Sequence, residues 1–255
     1  MAFTRQQQCP MRKLILLSGL SAALLVACGG GGTAPTPPKE DNGGPGNPPP
    51  GDARAYAVTG NALYSIVLSG TGQDEKKFDL KVSAPLTDVA LDGTELYGVT
   101  FSNLVRISLS DGAVSTVGAL GAGDINALAA DGAGNLYGAS TGGQFYKINK
   151  TTGQATVVGP LGTLSSGDLA FNAAGQLYGT VRPSLFSADS LARIDPATGK
   201  ATVIGGTGKT DLFALKFQGS ALYALTGSGQ VLTLNTATGA ATVVRETGLS
   251  FTGLQ

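Results

Sequence analysis

Leu128-Ala129-Ala130-Asp131-Gly132, Asn135-Leu136-Tyr137-Gly138, Tyr146-Lys147-Ile148-Asn149 and Thr151-Thr152-Gly153-Gln154-Ala155-Thr156-Val157-Val158 follow one another between residues 128 and 158. Each phrase has the length of a β-strand, and each ends in a turn. Asp-Gly and Thr-Gly punctuate them because tight turns need residues that accept a positive φ, and Asp195-Pro196-Ala197-Thr198-Gly199-Lys200 adds a proline whose φ is preset. The phrases recur along the chain. Their clearest marker is a small or aliphatic residue followed by tyrosine, at Ala55-Tyr56, Leu96-Tyr97, Leu136-Tyr137, Leu177-Tyr178 and Leu222-Tyr223, with tyrosine spacings of 41, 40, 41 and 45. Four strands per repeat of this length is the content of one blade in a radially repeated sheet.

The two ends of the repeat array complement each other. Ala55-Tyr56-Ala57-Val58-Thr59 aligns with Leu222-Tyr223-Ala224-Leu225-Thr226, so the first unit begins at its second strand. Ser250-Phe251-Thr252-Gly253-Leu254 resembles the inner strands that begin at Leu86 and Leu212, and so supplies the missing one. Closing the ring this way removes the free edges that an open array exposes. The expected fold is all-β: a β-propeller of five four-stranded blades closed by the C-terminal strand. The blades span 86 to about 121, 122–162, 163–206, 207–248, and 249–255 joined with 53–85. A parallel β-helix of similar glycine content is the alternative, but its rungs are shorter than this repeat.

With Asp131-Gly132-Ala133-Gly134-Asn135-Leu136-Tyr137 as the typical link between first and second strands, the units resemble the NHL and YVTN-type repeats of bacterial β-propellers. The resemblance covers about 200 residues. It implies an architecture and leaves activity open, because propellers serve as enzymes, binders and scaffolds alike.

The N-terminal fifth has a different character. Arg12-Lys13 precede the apolar run Leu14 to Val26, which has signal-peptide length and is shorter than a membrane span of ~20 residues. The run ends in Leu25-Val26-Ala27-Cys28, which resembles the lipobox of bacterial lipoproteins, where cleavage makes the cysteine the acylated N-terminus. The resemblance implies lipidation at Cys28, a mature domain held to a membrane of the cell envelope, and two or three acyl chains, enough for stable anchoring. Met11 is an alternative start. Residues 28–52 are nearly all Gly, Pro, Thr, Asn and charged residues, which cannot bury apolar surface against their ordering entropy. The chain therefore divides into a leader (1–27), a lipidated tether (28–52) and a propeller domain (53–255).

Composition narrows the chemistry. The chain has no His and no Trp, which removes His-based acid/base catalysis, His metal ligands and indole stacking. Arg5, Arg12 and Lys13 precede Cys28 and no acid does, leaving 14 basic and 17 acidic residues after cleavage and no basic footprint for nucleic acid. Cys9 and Cys28 are the two cysteines, so the mature domain has no disulfide.

Candidate ligand-binding residues come from the loops that lead into the inner strands. Asp124 and Asp211 lie at matching positions there, and Asp88 and Asp168 match each other slightly further in. Carboxylates converging on a channel suit a cation or a sugar, and capping of strand starts is the structural alternative. The connection Val181 to Ser190 is about five residues longer than its counterparts and carries Arg182, so it breaks the repeat on the face where those loops gather. The repeated tyrosines read as packing groups between blades. No catalytic residue, metal ligand or cofactor is assigned. The first functional reading is a monomeric, membrane-anchored binding or scaffold propeller with a protein or glycan partner. A calcium-assisted hydrolase or lactonase and a carbohydrate binder are the alternatives.

Overall fold

The computed structural model describes residues 52–255, so the leader, Cys28 and the rest of the tether lie outside the described residues. The chain forms twenty β-strands in five antiparallel sheets of four. Blade one contains β1 (Ala53–Val58), β2 (Ala62–Ser69) and β3 (Glu75–Asp79), with β20 (Gly253–Leu254) at its inner edge. Blade two is β4 (Asp88–Asp92), β5 (Glu95–Val99), β6 (Asn103–Ile107) and β7 (Val114–Ala119). Blade three is β8 (Ile125–Ala130), β9 (Leu136–Ser140), β10 (Gln144–Ile148) and β11 (Ala155–Pro160). Blade four is β12 (Leu164–Phe171), β13 (Leu177–Arg182), β14 (Ser190–Ile194) and β15 (Ala201–Gly206). Blade five is β16 (Leu212–Gln218), β17 (Ala221–Thr226), β18 (Gln230–Leu234) and β19 (Ala241–Glu246).

This is the expected five-bladed propeller, and the ring closes as the sequence predicts. Ala57 pairs with Leu254 and Val58 with Gly253. Tyr56 and Gln255 exchange two backbone hydrogen bonds of 2.5 and 2.7 Å, and Thr252 N donates to Val58 O at 2.8 Å. The last residues of the chain thus occupy the inner edge of the first blade.

The alternation of apolar and polar residues along each strand gives every blade two faces to bury, and the core accordingly falls into five seams between neighbouring blades. Each seam holds one marker tyrosine: Tyr56 between blades one and two, Tyr97 between two and three, Tyr137 between three and four, Tyr178 between four and five, and Tyr223 between five and one. Tyr97, Tyr178 and Tyr223 are buried, and Tyr56 and Tyr137 pack partly buried at the edge of theirs. A repeated aromatic in this position turns a stack of similar sheets into one continuous core.

A second contact seals the seams at the rim. The turn between third and fourth strands of one blade presses on a glycine in the outer strand of the blade before it. A side chain on Gly159 would meet the Thr198 carbonyl oxygen at 2.2 Å, and one on Gly118 would meet that of Thr152 at 2.1 Å. The backbone continues the contact, with Ala155 N donating to Leu120 O at 2.8 Å and Ala201 N to Leu161 O at 3.0 Å. Replacing Gly159 by Val forces a backbone shift at the seam between blades three and four, which costs about 2–4 kcal/mol. A chemical-denaturation midpoint unchanged from wild type would show that the seam does not need this close approach.

Candidate functional site

The first strand of each blade has a sheet partner on one side only, so its other row of backbone groups faces the centre of the ring. At equivalent positions in the five inner strands stand Asp88, Ala127, Asp168, Ala214 and Gly253. The two aspartates use all four carboxylate oxygens to satisfy inner-strand amides. Asp88 accepts from Val89 N at 2.7 Å and, on the next blade, from Leu128 N at 2.6 Å. Asp168 accepts from Leu169 N at 2.5 Å and, on the next blade, from Leu215 N at 2.5 Å. Glycine is required in the fifth strand, since a Cβ there would lie 2.5 Å from Asp88 Oδ1 and 2.8 Å from Val89 N.

Both carboxyls are fully buried and lie close enough across the channel for each to influence the other's titration, so burial of the two together favours a proton held by the pair. Burial pushes both well above the ordinary aspartate value of 3.8; for Asp88 the neighbouring Asp168 adds to the push, and the amide bonds offset only part of it. No cation contributes to either value.

Above this layer the channel opens into a mouth of about 380 Å³. Its walls are apolar: Pro85, Leu86, Phe101, Leu164, Leu185 and Phe213. Phe101 and Leu185 come from the same connection, second to third strand, in blades two and four. In blade four that connection runs from 183 to 189, against 100–102 in blade two. It leaves Leu185 68% and Phe186 98% exposed, and Phe101 is 51% exposed. Polar groups in the mouth are Thr87, Asn126, Thr141, Ser165, Ser166, Arg182 and Thr252.

Most of these polar groups are already committed. Thr87 Oγ1 donates to Ile125 O at 3.0 Å, and Thr252 Oγ1 to Leu86 O at 2.9 Å. Arg182 Nη2 donates to Ser166 Oγ at 2.8 Å and to Ser166 O at 3.2 Å, and Arg182 Nε pairs with Asp189 at 3.2 Å. Asp189 is buried, bonds the Ser166 hydroxyl, and accepts from Leu212 N at 2.8 Å, so it ties the long connection to blade five. Burial raises its carboxyl above the ordinary range, against the pull of Ser166, Leu212 and Arg182. Arg182 Nε, though ion-paired, makes no hydrogen bond, and Asn126 Oδ1 is buried with neither a hydrogen bond nor a counter-charge, while its Nδ2 reaches Ser165 O at 3.5 Å.

The sequence-derived candidates therefore separate into three settings. Asp88 and Asp168 lie beneath the mouth as the buried pair. Asp124 and Asp211 precede β8 and β16 in left-handed backbone, φ 60° and 58°, and are the non-glycine residues with positive φ among those described. Asp211 Oδ1 lies 4.0 Å from Arg182 Nη2, and Arg182 itself lines the mouth. No group of three or more His, Cys, Asp or Glu side chains capable of holding a metal occurs among the described residues. Sequence reasoning passed over Phe101, Asn126, Ser166 and Asp189. Departure from the repeat was the available signal for Asn126, whose counterparts are Thr87, Gly167, Phe213 and Thr252.

Residues 95–245 match a repeat of unknown function, DUF6923. The chain belongs to this family. The DUF6923 match starts with β5 and ends within β19, so it covers the repeat array from blade two to blade five. No curated protein matches the sequence. By structure, the chain is similar to a chain from the crystal structure of a nidogen/laminin complex, with 15% identity, a TM-score of 0.53, and coverage of 80% of this chain and 85% of that one. It is also similar to a structural genomics protein of unknown function from Bacteroides thetaiotaomicron VPI-5482, with 15% identity, a TM-score of 0.52, and coverage of 75% and 57%. At this identity the likeness is one of fold.

The carboxyl pair carries a pH dependence of defined sign. A raised value means that the folded chain keeps a proton the unfolded chain releases, so the stabilisation is complete below the ordinary aspartate value and is lost as pH climbs through the folded-state value. The double substitution Asp88→Asn, Asp168→Asn keeps an amide oxygen as acceptor at each position and removes both titrating groups. As pH rises above the ordinary aspartate value of 3.8, the fall of Tm is expected to be shallower in this DUF6923 variant than in wild type. Equal slopes would show that no proton is held between the two.

Proposed function

We propose that this DUF6923 propeller is a binding protein of the bacterial cell envelope, anchored through Cys28, with the channel mouth between blades two and four as its working face. The observation that carries the reading is the exposed apolar mouth. Phe101 and Leu185 present large side chains to solvent at the edge of a concave cavity, with the exposed Phe186 next to Leu185 in the chain, and such surfaces mark interaction sites. The cavity's size falls in the range of ligand sites, and Asp189 fixes the longer connection against blade five, so the site is largely preformed. Leu25-Val26-Ala27-Cys28 and the Gly/Pro-rich tether support delivery to a membrane, and the NHL and YVTN-like phrasing of the repeats belongs with this reading. The calcium-assisted alternative is less well supported, because the two channel carboxyls are engaged by backbone amides.

Two measurements test the two halves of the proposal. Cys28→Ala is expected to move the protein out of the membrane fraction on cell fractionation; an unchanged distribution contradicts the anchor. The neutral dye Nile red is expected to bind purified protein saturably at one site, and the double substitution Phe101→Ser, Leu185→Ser is expected to weaken binding at least tenfold, about 1.4 kcal/mol, since each side chain removes apolar contact. Dye binding unaffected by the substitutions would place the site elsewhere.

A further inference from the structure

We propose that the mouth takes an uncharged ring bearing a hydroxyl group, a phenol-like ligand whose O–H donates to Asn126 Oδ1. This rests on the mouth being the binding site and goes beyond it by naming the chemistry. Three observations point there. The walls supply two phenyl rings, Phe101 and Phe213, with Leu164, Leu185 and Pro85, which suits a flat apolar body. The cation in the lining, Arg182, is already paired with Asp189 and bonded to Ser166, so the site offers no free positive charge to a carboxylate or phosphate. Two buried atoms of the lining make no hydrogen bond: Arg182 Nε, whose charge is met by Asp189 at 3.2 Å, and Asn126 Oδ1, an acceptor in a residue 9% exposed that has no counter-group and so needs a donor.

An orphaned buried acceptor costs free energy that a ligand donor recovers, so the site should reject the analogue lacking the hydroxyl. The Ser165 hydroxyl, at the same wall, makes no hydrogen bond among the described residues and can accept or donate as the ligand's orientation demands. The amide torsion of Asn126 is broad enough to align Oδ1 with an incoming donor.

The test compares p-cresol, toluene and p-toluate on the full chain by protein-detected NMR titration. p-Cresol is expected to bind roughly tenfold more tightly than toluene, and p-toluate least of all. In Asn126→Leu, which is close in volume and lacks the acceptor, toluene binding should persist and the preference for p-cresol should vanish. Retained toluene binding also reports that the variant is folded. N-acetyl-tyrosinamide distinguishes the source of the ring: tighter binding than p-cresol assigns it to a polypeptide, weaker binding to a free phenol. Toluene equal to p-cresol, p-toluate tightest, or a p-cresol preference that survives Asn126→Leu would each overturn the assignment. If no ring probe binds while Nile red still does, the phenol assignment fails and the broader proposal stands.

Discussion

The structure depends on four backbone hydrogen bonds that no sheet provides. Every propeller leaves the inner edges of its blades unpaired around the axis, where buried N–H groups without acceptors cost about 1–3 kcal/mol each. In this chain Asp88 and Asp168 meet that need with all four of their oxygens, each bridging its own blade to the next. Two buried carboxylates would repel, so burial favours a proton held by the pair. The same constraint sets a neighbour, for Gly253 leaves space where a Cβ would strike Asp88.

Blades two and four thus differ from blades three and five in a way that reaches the surface. The former carry the channel aspartates and send up Phe101 and Leu185. The latter carry alanine at the channel and enter their inner strands through Asp124 and Asp211 in left-handed backbone. Aspartate tolerates that conformation better than most residues, so the same residue type serves opposite purposes at positions three apart. A repeat that looks fivefold in its tyrosines is therefore uneven at its axis, and the uneven axis builds a floor beneath a one-sided apolar mouth.

Much of this was legible in the sequence. The tyrosine spacing set the blade number, and the kinship of Ser250 to Leu254 with the other inner strands set the closure, because repeats align by period and strand pairing follows. Pairing of Asp88 with Asp168 in the repeat was also visible, but their burial was not, since it depends on how five sheets converge on the axis. Arg182 stood out through the longer connection, yet its neutralisation by Asp189 needs the fold of that connection, seven residues further along the chain. Asn126 was hidden for a simpler reason: a polar residue at one position of one repeat has meaning only when its neighbours' hydrogen bonds can be counted.

Amide hydrogen exchange of Val89, Leu128, Leu169 and Leu215 tests the central claim most directly. Although these N–H groups lie on free strand edges, acceptance by the carboxyl pair predicts protection comparable to that of ladder amides in β5 and β9, with exchange through global opening. Exchange at the rate of exposed edge amides, with the rest of the inner strands protected, would contradict the account.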